Sequence, residues 1–300
     1  MVGDPFTINK AKVRELDFAL IKRHLKHAKA NLRYFGLPAR DLLELRAWEN
    51  YFCHFSAVER GKGGKGFLEQ HNLMLTAMQY GLSDRLILLR GEMDEILLRG
   101  KDEFGTLVQY PFDVVSLDYS GGLLYKDHHG KSKRIQSIAQ LFIQQADLDK
   151  DFLLFTSSNL DNEDQGEVRS VLRDINRELA KMGIDANKII QKILNHDAEE
   201  ARLKVYTPYL IKSLADKWYK CEYNKPVFYE GNRQTRMTHF SFWLKRTSKY
   251  SAGKPTPSDL INILNLPAFS CKDGVLTDED FGITRLTQIP WTMPNGEESR

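Results

Sequence analysis

Residues 112–119 read Phe112-Asp113-Val114-Val115-Ser116-Leu117-Asp118-Tyr119. The run Val114-Val115-Ser116-Leu117 is too apolar to own a solvated face and too short for a helix. Such a run is a strand covered on both sides, as the strands of a parallel sheet are. Asp118 then stands where the chain leaves that strand. Working outward, similar short runs recur at Leu32 to Leu37, His54 to Glu59, Arg85 to Arg90 and Phe152 to Phe155. Helical stretches separate them at Asp41 to Tyr51, Phe67 to Tyr80 and Ser132 to Ala146. In the last of these Ile135, Ile138, Ala139 and Phe142 share one face. Strand and helix therefore alternate from Asn31 to Leu160. That pattern predicts an α/β fold, a doubly wound and mostly parallel sheet with helices on both faces.

The flanks extend the picture. Glu167 to Met182 places Val168, Val171, Leu172, Ile175 and Leu179 on one helical face. Helical material continues through Ile189, Ile190 and Ile193, then through Leu210 to Trp218. Lys225 to Glu230, the turn signal Gly231-Asn232 and the alternating Met237 to Arg246 predict an antiparallel hairpin that closes the sheet. Ile8 to Ala30 reads as a basic helix. Its apolar positions are Leu16, Phe18, Leu20, Ile21 and Leu25, and its cations Arg14, Lys22, Arg23, Lys26 and Lys29. From about Tyr250 the chain is richer in Pro, Ser and Thr. The division expected is a helical extension at 1–30, an α/β domain at 31–250 and a C-terminal appendage at 251–300.

Composition narrows the class. In 300 residues, 42% hydrophobic and 28% charged side chains are a soluble globular balance, and a net charge of +3 does not by itself name a polyanionic partner. Cys53, Cys221 and Cys271 are odd in number and form no C-x-x-C pair, which argues for a reducing compartment over a disulfide framework or a zinc site. Met1 to Lys10 lacks an apolar signal core, and no run of 18 apolar residues occurs. A cytoplasmic protein that spans no membrane and holds no metal is expected.

Ligands of a doubly wound sheet bind beyond the carboxyl ends of its strands. The informative residues are therefore those that follow each strand: Val58-Glu59-Arg60, Gly91-Glu92-Met93-Asp94 and Asp118-Tyr119-Ser120-Gly121-Gly122. Their order and spacing, together with Gly81 to Leu88 and the closing hairpin, resemble the class I S-adenosylmethionine-dependent methyltransferases over residues 31–246. The resemblance implies S-adenosylmethionine as cofactor. It implies that Glu59 accepts the ribose hydroxyls, with Arg60 beside it, and that Glu92 and Met93 flank the adenine. It sets Phe35 and Gly36, in the turn after the first strand, beside the methionine end. It implies that Asp118 touches both cofactor and acceptor. Methyl transfer needs an acceptor held in line more than it needs acid–base power. Asp118 as an orienting carboxylate and Tyr119 as a stacking ring are the catalytic pair expected. The first turn, Tyr34-Phe35-Gly36-Leu37-Pro38, carries one glycine where that family uses several, and no two prolines follow Asp118.

The densest basic cluster follows the fourth strand and contains Lys126, His128, His129, Lys131, Lys133 and Arg134. Lys126, His128, Lys131 and Arg134 are the expected substrate contacts, to the phosphates of DNA or RNA. Gly61-Lys62-Gly63-Gly64-Lys65-Gly66 matches G-x-G-x-x-G after a strand, a weak signal on its own. Three functions compete: methyl transfer to a nucleic-acid base nitrogen, an interaction protein on a methyltransferase-like fold without catalysis, and a nicotinamide-dependent oxidoreductase using the Gly61 run.

Overall fold

The computed structural model describes residues 8–26, 30–37, 42–59, 63–119, 121–124, 132–159, 164–231, 235–247 and 255–281, with backbone only at 63–67. The apolar runs form β1 (Leu32–Gly36), β2 (Phe52–Glu59), β3 (Leu86–Arg90), β4 (Val114–Asp118) and β5 (Phe152–Asn159). They pair in parallel in the order β3-β2-β1-β4-β5. The chain crosses to one side of β1 for β2 and β3 and to the other for β4 and β5. The switch point of a doubly wound sheet therefore lies between β1 and β4.

Side chains alternate across this sheet, so each face has its own core. Tyr34, Phe55, Ala57, Val114, Leu153 and Phe155 pack under α1 (Ile8–Leu25), α2 (Leu43–Trp48) and α3 (Gly63–Gln79). Phe35, Val58, Leu89, Val115, Leu117 and Leu154 pack under α4 (Met93–Arg99), α5 (Lys133–Asp147) and α8 (Glu199–Ala215). Residues such as Phe35, Phe55 and Leu154 are fully buried, each worth roughly 1.5–3 kcal/mol relative to exposure. A third core joins α6 (Gln165–Lys181), α7 (Asn187–Leu194), α8 and α9 (Pro257–Leu264). In α6 the buried positions are Val168, Leu172, Ile175 and Leu179, and Asp164 caps its first turn by accepting from the Glu167 N–H.

The expected hairpin is β7 (Val227–Glu230) and β8 (Arg236–Arg246), with β8 antiparallel to β5. The sheet continues further than the sequence pattern predicts. β6 (Tyr219–Tyr223) pairs with the far half of β8, β9 (Ala268–Lys272) runs parallel to β7, and β10 (Val275–Glu279) folds back on β9. Residues 257–279 thus add a capped helix and two strands to the same sheet. Thr256 and Asp259 make a reciprocal capping box at the start of α9.

The buried side chains of α1 are Asn9, Val13, Asp17, Ile21 and Leu25, four residues apart throughout. Two of them are polar, so a purely apolar periodicity does not find this stripe. Asn9 earns its burial by hydrogen bonds: its amide donates to the Glu230 carbonyl at 3.1 Å, and its oxygen accepts from the Gly274 N–H at 2.9 Å. Asp17, the other polar member, reaches the site described next.

Candidate active site

Sheet register brings the strand-end residues into one row. Gly36 pairs with Ala57 on one side and with Ser116 on the other. Glu59 and Asp118 lie two residues further along β2 and β4, at equal height and on the same face. Asp118 pairs with Ser157 of β5, and Ser157 pairs with His239 of β8. Strands stand about 4.8 Å apart. Glu59, Asp118, Ser157 and His239 therefore line the carboxyl edge of the sheet in order, and the amino-terminal half of α1 lies over the Asp118, Ser157 and His239 end of the row.

A cavity of about 50 Å³ opens at the Asp118, Ser157 and His239 end of this row. Lys10, Arg14 and Asp17 of α1, Glu44 of α2, Ser116 and Asp118 of β4, Ser157, Tyr229 and His239 all line it. This volume takes a few atoms, the end of a ligand and not a whole cofactor, whose pockets run to about 300–1,000 Å³. Tyr34 donates from its hydroxyl to Glu44 Oε2 at 3.0 Å. The Arg14 Nε lies 3.8 Å from Glu44 Oε1 and is buried, with no hydrogen-bond acceptor among the described residues. Burial pushes the Glu44 carboxyl up to about 7. Arg14 opposes that shift, while Asp118 and Asp17 add to it. His239 Nε2 sits 2.8 Å from Asp17 Oδ1, and its Nδ1 sits 2.9 Å from Ser157 Oγ. Burial lowers the His239 pKa, but pairing with Asp17 and the nearby Glu44 and Asp118 carboxylates raise it further, so it ends above the usual imidazole value.

The residues named from sequence fall in three places. Glu59 and Asp118 are at the carboxyl edge, half-buried and exposed respectively. Gly36 is buried between them. A Cβ on Gly36 would lie 2.5 Å from the Ser116 carbonyl oxygen and 2.5 Å from the Tyr34 hydroxyl. The room beside this glycine is thus taken by the Tyr34 side chain. Phe35 points to the opposite face and packs on Phe112. Glu92 is half-buried at the start of α4, while Met93 is buried in the core beneath it. Arg60, Lys126, His128 and Lys131 lie outside the described residues, as do Gly61 and Lys62.

Tyr119 does not share a corner with Asp118. Alternation turns it to the other face, where it is 4% exposed. Its hydroxyl donates to Asp94 Oδ1 at 3.3 Å, Ser137 donates to the same oxygen at 2.6 Å, and the Arg134 guanidinium lies over the Tyr119 ring at 4.6 Å. Arg134 also donates to the Gly122 carbonyl. It folds back over this network between α4 and α5, with only 12% of its side chain exposed.

Sequence reasoning missed Asp17, Glu44, Ser157 and His239. Asp17 is hidden in a helix of mixed pattern. The fifth strand runs on to Asn159, past Phe155, and so carries Ser157 to the edge. His239 sits in β8 between residues that read as ordinary strand. Among the described residues no group of three or more His, Cys, Asp or Glu is arranged to hold a metal ion, and no helix is long and apolar enough to cross a membrane.

No family model matches the chain, and no curated protein matches it. Solved structures similar to it include the O-methyltransferase from Bacillus cereus in complex with SAH, at 11% identity and TM-score 0.41, over 81% of this chain and 84% of that one. A precorrin-6y C5,15-methyltransferase from Geobacter metallireducens aligns at 11% identity and TM-score 0.36, over 78% and 88%. The human methyltransferase 10 domain containing protein aligns at 10% and 0.36, over 76% and 81%. Likeness of this degree leaves cofactor and acceptor to the chain's own residues.

Proposed function

We propose that the chain transfers a methyl group from S-adenosylmethionine. One observation carries this reading: Glu59 and Asp118 stand at equal height on either side of Gly36, at the carboxyl edge beside the switch point. A carboxylate at the end of β2 can accept both hydroxyls of a ribose. The donor set around the cavity suits the other end of the cofactor. Arg14 and Lys10 complement a carboxylate, while Asp118 and Glu44 complement an ammonium and a sulfonium. The small cavity would hold that amino-acid end, and the adenosine would lie along the edge toward Glu59 and Glu92. When bound, the cofactor supplies an electrophilic methyl group. The chain's own work is to hold the acceptor beside Asp118 and keep its lone pair in line.

The acceptor favoured is a nucleic acid, methylated at a base nitrogen. The cationic run Lys126, His128 and Lys131 supports it by composition and by its place in the segment that follows β4, while Arg134 is engaged with Tyr119 and Gly122. Incubating the full chain with methyl-labelled S-adenosylmethionine and separate pools of DNA, RNA, protein and small phenols tests this. Label entering RNA or DNA supports the acceptor class, and label entering another pool reassigns it.

One observation favours a second reading, a methyltransferase-like interaction protein without catalysis. The Tyr34 side chain occupies the space beside Gly36 that a glycine-rich turn would leave to a ligand. In that case the chain binds neither the cofactor nor its demethylated product.

A further inference from the structure

The row at the carboxyl edge holds a hydrogen-bonded chain that the methyl-transfer reading does not use. Ser157, His239 and Asp17 come from β5, β8 and α1, and they are 82 and 222 residues apart in sequence. Asp17 and His239 are 5% and 4% exposed, while Ser157 is half-buried and lines the cavity next to Asp118. Ser241 donates to the same Asp17 oxygen at 3.2 Å. The Ser157 backbone is pinned as well, since its carbonyl accepts from the Tyr119 N–H at 2.8 Å. A carboxylate on Nε2 fixes the neutral ring as the Nε2–H tautomer. That leaves the Nδ1 lone pair toward the serine hydroxyl.

We infer that Ser157, His239 and Asp17 form a proton relay, and that the acceptor is an O–H or N–H group that loses its proton to Ser157 as it is methylated. This rests on the methyl-transfer reading. The acceptor lone pair forms the new bond to carbon, and the carbon–sulfur pair stays on sulfur. The acceptor proton passes to Ser157 Oγ while that hydroxyl's own proton moves to His239 Nδ1. The imidazolium so formed is held by Asp17. Ser157 touches the acceptor; His239 and Asp17 are positioning residues that act through it.

The surroundings suit such a relay. Asp17, Arg14 and Lys10 face the ring from α1, Glu44 from α2, Asp118 from β4 and Tyr229 from β7. Three carboxylates stabilise the imidazolium once the proton arrives, and Arg14 and Lys10 keep their repulsion in check. The relay works when His239 starts neutral, so the rate rises with pH as the ring loses its proton.

The test uses the full chain with nitrogen-15-labelled histidine. The ring nitrogens of His239, assigned by His239→Gln, are followed from pH 5 to 9. The relay requires a neutral ring with a proton on Nε2 and none on Nδ1 at the alkaline end, and a shift of the Nδ1 resonance in Ser157→Ala. In parallel, Ser157→Ala slows methyl transfer by about a hundredfold at alkaline pH and flattens its pH profile. The fall in rate exceeds any fall in cofactor affinity, and Ser157→Thr, which keeps the hydroxyl, restores the profile. A neutral ring protonated on Nδ1 overturns the relay. So does an unchanged rate and profile in Ser157→Ala. A wild-type chain that binds no S-adenosylmethionine overturns methyl transfer itself, and the relay with it.

Discussion

Glu59 and Asp118 end their strands at the same height, one on each side of Gly36, with their side chains on the face covered by α1 and α2. Two strand spacings, about 10 Å, separate them. That span separates the two jobs assigned to the edge: one carboxylate for a ribose, the other for the reacting end.

Replacing Glu59 with alanine removes the ribose acceptor. Cofactor affinity should fall by about 1.5–3 kcal/mol, the range for hydrogen bonds to a charged group. Titration calorimetry on the folded variant measures it, and an affinity equal to wild type would remove Glu59 from the site.

Asp118→Asn keeps the shape, loses the charge and adds a donor. Methyl transfer should slow by more than cofactor affinity falls, because this carboxylate orients the acceptor as well as facing the sulfonium. A variant with the wild-type rate would leave Asp118 no part in catalysis.

Tyr119 belongs to the other face. Tyr119→Phe loses its 3.3 Å hydrogen bond to Asp94, for a stability cost of about 0.5–1.5 kcal/mol by urea unfolding. Methyl transfer should survive. A large loss of rate at unchanged stability would return the ring to the acceptor site.

Glu44 makes folding stability depend on pH. Its carboxyl is raised from 4.5 to about 7 in the folded chain. Between these values the folded state holds a proton that the unfolded state has released. Stability is therefore highest below about pH 4.5 with respect to this group and is lost as pH rises through 7. The loss is about 3 kcal/mol at most. Glu44→Gln should flatten the slope of unfolding free energy between pH 5 and 8, and an unaltered slope would place its origin elsewhere.

Much of the fold is legible in the sequence because buried parallel strands are apolar on both faces. Val114-Val115-Ser116-Leu117 and Leu86-Ile87-Leu88-Leu89 announce themselves. β6, β9 and β10 do not. Tyr219–Tyr223 alternates with Lys and Glu, and Val275–Glu279 is largely exposed at the edge of the sheet, so neither makes an apolar run. The strand-end acids follow once the strands are known, which is why Glu59 and Asp118 could be named. The cavity could not be read in the same way. Asp17 meets His239 across 222 residues, and only folding α1 over the carboxyl edge brings them together. Alternation also separates two neighbours in the chain: Asp118 and Tyr119 follow one another and face opposite sides of the sheet.

The most direct test of the central claim is calorimetric titration of S-adenosylmethionine and its demethylated product into the full wild-type chain. One saturable site for each, weakened in Glu59→Ala, is the result expected. No binding of either compound to the folded chain would contradict methyl transfer and leave the interaction-protein reading in its place.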